Sequence, residues 1–173
     1  MTSCQECGFG YVLETPEVFA GQVRAAADTY AEILLTAPEE ALRRRPEPGT
    51  WSPLEYACHV RDVLLVQRER VLAARRTVTP VAEPMGRDER VEHDGYAGQR
   101  PADVARQLRD AALLFGHALD RLAPGDWDRT LVYTYPERAE RPLRWLAAHT
   151  FHELSHHLRD IERQLPAGEP AVS

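Results

Sequence analysis

The segment HTFHELSHHLRD, residues 149–160, places four histidines and a glutamate where one α-helix would carry them all. Imidazoles and carboxylates are ligands that zinc, nickel and ferrous iron accept, so metal chemistry is the first reading to test. Each helical residue advances about 100° around the axis, which sorts the competing i, i+4 pairs by face. Relative to Leu154, the residues Ala147, Phe151, Leu158, Ile161 and Leu165 fall within about 60° and form an apolar stripe. His157 lies about 60° to one side and Glu153 about 100° on that same side, at the shoulder of the stripe. His152 and His156 lie roughly 160° away and are expected to face solvent.

A further histidine, His59 in WSPLEYACHVRDV, falls about 40° from Val63, whose stripe includes Tyr56, Val60, Val66 and Gln67. An inward carboxylate is costly unless paired or coordinated, and an inward imidazole needs partners for its ring nitrogens. One divalent cation shared by His59, Glu153 and His157 would meet these demands together. Hydrogen-bonded core residues would meet them too, and on pattern alone both readings stay open. Asp160, three residues after His157, is placed to accept a proton from the distal nitrogen of that ring. His149, within a turn of Glu153, is a candidate for contact with substrate.

The elements that must position these groups are punctuated clearly. Thr15-Pro16-Glu17 predicts a helix start, and Val18, Val23, Ala26, Tyr30, Ile33 and Leu34 keep helical spacing to about residue 37. Ser52-Pro53-Leu54-Glu55 writes a capping box for a second helix running to about residue 76. Residues 77–99 carry prolines, glycines and charges without period and read as a long connection. Pro101 opens a third helix that ends at APGDW, and Pro142 opens a fourth that reaches about Leu165. Between them TLVYTYP alternates, yet is too short to found a sheet alone. The expected fold is all-α: a four-helix bundle with a long crossover between helices two and three, built as one domain over residues 15–166 with tails at 1–14 and 167–173. Bundle sites are made by side chains that facing helices project inward.

Composition narrows the function classes. The 173 residues carry a net charge of -6 with both signs interleaved, which disfavours nucleic acid as a partner. No apolar run is long enough for a bilayer, and the N-terminus lacks the basic and apolar regions of a secretory signal, so a cytoplasmic location is expected. The run Arg43 to Arg45 reads as a solvated helix end. Cys4 and Cys7 form a CxxC in CQECGFGY. As a metal knuckle that pair needs two further ligands, and as a redox pair it needs a strand before and a helix after. Neither context is visible in the sequence, and a partly ordered tail is expected. Cys58 reads as a small buried hydrophobe.

The stretches TWSPLEYACHVRDV, DWDRTLVYTYP and HTFHELSHHLRDI resemble the DinB-like superfamily of four-helix metal-binding proteins, in the branch that includes mycothiol-dependent isomerases. The resemblance implies one ligand from the second helix and an i, i+4 pair from the last, hence His59, Glu153 and His157. Members with three histidines imply His59, His152 and His156 as the other register. The implied activity is that of a metal-dependent thiol transferase or isomerase acting with a low-molecular-weight thiol on a small electrophilic substrate. Zinc is the expected cation, with nickel or iron as alternatives. Mycothiol is the candidate thiol, since a chain whose 21 basic residues are all arginine fits a GC-rich, actinobacterial host. Tyr56, Trp51, Tyr133 and Tyr135 are candidate pocket residues, with a packing role as the other reading, and Arg61 or Arg144 is expected to grip an acidic group of the thiol. The alternatives are a metal-hydroxide hydrolase or lyase, and a non-catalytic metal-binding stress protein that forms a homodimer through an exposed helix face.

Overall fold

The computed structural model describes residues 3–134 and 137–165. Helix α1 spans Val18–Thr36, α2 Glu39–Arg43, α3 Pro53–Arg76, α4 Arg87–His93, α5 Pro101–Asp120 and α6 Leu143–Gln164. Strands β1 (Thr130–Tyr133) and β2 (Ala139–Pro142) pair antiparallel, with Leu131 opposite Arg141. None of the helices searched among the described residues is long and apolar enough to cross a membrane.

The start of α3 follows from its capping box. The Ser52 hydroxyl accepts the Glu55 N–H at 3.3 Å, and the Glu55 carboxylate accepts the Ser52 N–H at 2.8 Å. Arg45 closes onto the same carboxylate at 2.8 Å, so the arginine run, exposed at Arg44 and Arg45 as expected, also ties the loop after α2 to α3. Arg43 likewise reaches the backbone carbonyls of Ala97 and Gln99. Helix α1 begins at Val18, after a turn in which Val18 and Phe19 donate to the carbonyls of Thr15 and Pro16; the expected cap at Thr15 does not form.

Helices α1 and α3 each pack along both α5 and α6. The first two long helices, α1 and α3, therefore sit diagonally, as do α5 and α6, and neither forms the adjacent pair that the crossover reading suggested. The consequence for the site is direct: α3 and α6, which carry His59 and the histidine-rich segment, are lateral neighbours. The core between the four helices holds Tyr30, Leu54, Leu108, Phe115, Leu146 and Leu154. Tyr30 donates its hydroxyl proton to the Leu154 carbonyl at 2.7 Å, which ties α1 to α6 inside the core.

Two further features were not legible as elements. The connection from 77 to 99 contains α4 and a 3-10 turn at Tyr96–Gly98, and its first part pairs with β1 through Val132, which donates to Pro80 O and accepts from Ala82 N, both at 2.9 Å. The segment expected to be a partly ordered tail is folded from Ser3 onward. Ser3 bridges Gly10, Cys4 N–H donates to Phe9 O at 2.8 Å, and Gly8 takes a φ of +72° that a side chain would strain. Its aromatic residues lie on α6, with Phe9 on Phe151 and Tyr11 on Trp145.

Candidate metal centre

His59 stands in the second turn of α3 with 3% of its surface exposed, while Glu153 and His157 stand one turn apart on α6. One ligand atom from each of the three lies within 4.8 Å of the other two. The His157 Nε2 is 3.8 Å from a Glu153 oxygen, and the His59 and His157 rings meet edge to face with centroids 5.2 Å apart. Two ligand atoms about 2.0–2.1 Å from a tetrahedral ion are separated by about 3.3 Å, so the pair needs to close by only a few tenths of an ångström to share one. The His59 Nδ1 is buried without a hydrogen-bond partner. On the far side of His157, Nδ1 meets the Asp160 carboxylate at 3.0 Å, as the i, i+3 spacing anticipated.

His149 lies one turn before Glu153, stacked on Trp145 with ring centroids 4.5 Å apart. Its Nε2 is 3.8 Å from Glu153, and its Nδ1 is 2.9 Å from the Tyr11 hydroxyl. Tyr56 packs on His157 and Trp51 on His59, so both brace the imidazoles and neither lines the cavity.

Burial decides the charge states. It pushes the His59 and His149 imidazoles down to about 4, leaving both neutral at pH 7 with lone pairs to offer. For Glu153, burial raises the carboxyl, but the surrounding imidazoles of His149, His157, His59 and His152 outweigh it and hold the group below the usual carboxylate range. The result is an anion ringed by imidazoles, with 26% of the Glu153 side chain open to the cavity.

That cavity holds about 250 Å³ and is lined by His59, His149 and Glu153. Gln67, Arg70, Tyr133, Thr134, Met85 and Arg87 form much of the remainder. Arg70 is fixed there by the Tyr133 hydroxyl at 2.9 Å and by Gln67 at 3.2 Å. The two arginines named from sequence are elsewhere. Arg61 is turned to the opposite face of α3, bonded to Asp62, Gln99 and Gln107, and Arg144 pairs with Asp128 on the surface. Tyr135 lies outside the described residues. Arg70 was missed although its position falls about 20° from Val63 on the helical wheel, which is a readable inward signal.

The expectation that His152 and His156 face water is overturned. His152 is only 8% exposed, because the N-terminal segment covers that face of α6. Its ring contacts Phe9 and its Nδ1 lies 3.1 Å from the Tyr11 hydroxyl. Among the described residues His59 groups with Glu153 and His157, and not with His152 and His156. Cys58 has its thiol pushed up to about 12 by burial, which makes it an inert packing group beside Gln99.

Comparison with known proteins agrees with this architecture. YfiT from Bacillus subtilis, described as a probable metal-dependent hydrolase with an unusual four-helix bundle topology, superimposes with a TM-score of 0.71 at 15% identity, over 87% of this chain and 86% of its own. The mycothiol-dependent maleylpyruvate isomerase superimposes with a TM-score of 0.68, also at 15% identity, over 87% of this chain and 60% of its own. This chain thus spans less than two thirds of that isomerase, and at such identity both likenesses are of fold. No curated protein is a significant match in sequence. The sequence profile of the DinB superfamily matches residues 22–161, a span that contains α3, most of α6 and every side chain of the His59, Glu153 and His157 cluster, and the chain belongs to that superfamily.

Proposed function

We propose that His59, Glu153 and His157 hold one divalent cation, zinc first among candidates, and that the chain is an enzyme which activates a low-molecular-weight thiol toward a small electrophile. The observation that carries this reading is the convergence of two imidazoles and one carboxylate beside a cavity that His59 and Glu153 line. Three protein ligands leave a coordination position for an exogenous group, which favours chemistry over a purely structural role. A cation there would lower the pKa of a coordinated thiol or water and so supply a nucleophile at neutral pH.

The chain's own residues divide the remaining work. Asp160 touches no reacting atom and acts as a positioning residue, holding the His157 ring so that Nε2 faces Glu153. His149 presents Nε2 to the cavity and exchanges a proton or hydrogen bond with the substrate. Arg70 and Arg87 line the same cavity as Glu153 and supply positive charge for an acidic group of the thiol or substrate, the task assigned from sequence to Arg61 and Arg144. Mycothiol suits this charge pattern less specifically than it suits the fold likeness to the mycothiol-dependent isomerase.

A second reading, hydrolysis by a metal-bound water, draws on the likeness to YfiT. The two separate on one measurement: purified metal-loaded chain is supplied with a reactive electrophile, with and without mycothiol or other small thiols. Turnover that requires thiol supports the transferase or isomerase reading, and turnover without it defeats that reading. Metal content of His59→Ala and Glu153→Ala tests the shell itself. Loss of the equivalent in both is expected, and its retention in both refutes the assignment.

A further inference from the structure

The N-terminal CxxC has found the two ligands that its sequence lacked. Cys4 Sγ, Cys7 Sγ and one ring nitrogen each from His152 and His156 lie within 4.8 Å of one another. We propose that these four residues form a second metal site, a closed tetrahedral zinc centre that staples residues 3–14 to α6.

Several independent features fit this assignment. The spacing is C-x2-C on one segment and H-x3-H on a helix, the pattern by which two thiolates and two imidazoles enclose a structural zinc ion. The i, i+4 spacing puts both imidazoles on one face of α6. The backbone amides of Cys7 and Glu6 hold the Cys4 thiol below its ordinary value, while burial raises that of Cys7 against the backbone of Phe9, which lowers it. Gly8, at a φ of +72°, permits the tight return that brings these amides round.

The histidines carry the decisive detail. His152 is more than nine-tenths buried, and its Nε2 has no partner although its Nδ1 is held by Tyr11 at 3.1 Å. His156 shows the complementary arrangement: Nε2 lies 3.4 Å from Glu6 and 3.7 Å from Asp160, while Nδ1 is buried and unpartnered. Each ring therefore has one nitrogen engaged by a polar group and one left over, the arrangement typical of a metal-ligating histidine. Two orphaned buried nitrogens on rings that group with a pair of sulfurs would be costly without an ion. With one, two thiolates neutralise the dication and every lone pair is used.

Four protein ligands leave no open position, so this centre is structural, in contrast to the cavity-facing cluster. The two readings do not depend on each other. What the staple secures is the seating of Phe9 and Tyr11 on α6, and with Tyr11 the hydroxyl that bonds His149 at the cavity wall.

The test is cobalt substitution of the full chain purified under reducing conditions. Thiolate-to-cobalt charge transfer in the near ultraviolet, together with tetrahedral visible bands, is expected in the wild type and in His59→Ala. Both are expected to vanish in Cys4→Ser/Cys7→Ser, which should also bind one zinc equivalent fewer. The wild-type spectrum stands even where the double variant fails to fold, because the remaining thiol, Cys58, is buried beside Gln99 and away from this cluster. His156→Ala provides a milder second variant, expected to bind the same ion more weakly. Absence of charge transfer in the wild type, or a Cys4–Cys7 disulfide formed in preference to metal binding in zinc-replete reducing buffer, overturns the proposal.

Discussion

Replacing Asp160 by Asn tests whether the His59 cluster is a metal centre tuned from behind. The carboxylate meets His157 Nδ1 at 3.0 Å, and the two side chains are only 16% and 20% exposed, so water screens the contact weakly. A hydrogen bond to a charged acceptor contributes about 1.5–3 kcal/mol and one to a neutral acceptor about 0.5–1.5 kcal/mol. Asn keeps an acceptor oxygen and loses the charge, so about 1–1.5 kcal/mol is lost from orienting and polarising the ring. That is about a tenfold weaker metal affinity. Ala removes the acceptor altogether and is expected nearer the upper end of the about 10–100-fold range for such supporting partners. The assay is competition of the metal-free chain with a chelator of known affinity, read on the equivalent that His59→Ala lacks. Equal affinity in wild type, Asp160→Asn and Asp160→Ala would refute the view that His157 is a ligand held through its distal nitrogen.

Burial also makes the metal-free chain acid-sensitive. His59 and His149 have folded-state values of about 4 against 6.5 when unfolded, so only the unfolded chain takes up these protons as pH falls from about 6.5. Stability is therefore full above that value and is lost down to about pH 4, by up to ~3 kcal/mol for each group; urea midpoints that coincide at pH 7.5 and 5 would contradict this. Arg70→Met should raise KM for an acidic substrate about tenfold or more while leaving metal content intact, because it removes a cavity charge remote from the ligands; an unchanged KM argues against an anion contact there. Tyr30→Phe deletes the 2.7 Å bond to Leu154 O and should cost about 1 kcal/mol in denaturant unfolding, with no change in metal stoichiometry.

What the sequence could disclose depended on what water does around each helix. The starts of α3 and α5 were legible because Ser52-Pro53-Leu54-Glu55 and Pro101 are local devices that act through their own backbone. The inward placement of His59, and of Glu153 at a shoulder, was legible because the wheel orders residues around one axis. Diagonal placement of α1 and α3 was not, since a connection of this length permits either neighbour. Arg61 could have been set aside on the same wheel, lying about 160° from Val63, but a long flexible side chain invites assignment by reach and not by direction. His152 failed for a deeper reason. Amphipathicity assumes that the face opposite the core meets solvent, and here residues 3–14 replace the solvent. Nothing periodic in CQECGFGY announces that role; only its CxxC does, and its partners lie about 150 residues away in the chain.

The covering segment also fixes a proton. A tyrosine hydroxyl has one hydrogen to give, and Tyr11 has an imidazole nitrogen at 2.9 Å in His149 and another at 3.1 Å in His152. Both rings are neutral at pH 7, and each carries a single N–H. If His152 offers a bare Nε2 to the cysteine pair, its proton resides on Nδ1 and is donated to the Tyr11 oxygen. Tyr11 then donates to His149 Nδ1, which places the His149 proton on Nε2, directed at Glu153 and the cavity. Occupation of the cysteine centre would thus set the tautomer of His149, which would then meet substrate as a hydrogen-bond or proton donor and not as a base. The donor face suits an electrophile whose oxygen gains charge on attack. The N-terminal staple would then contribute to chemistry through a two-bond relay while touching no reacting atom.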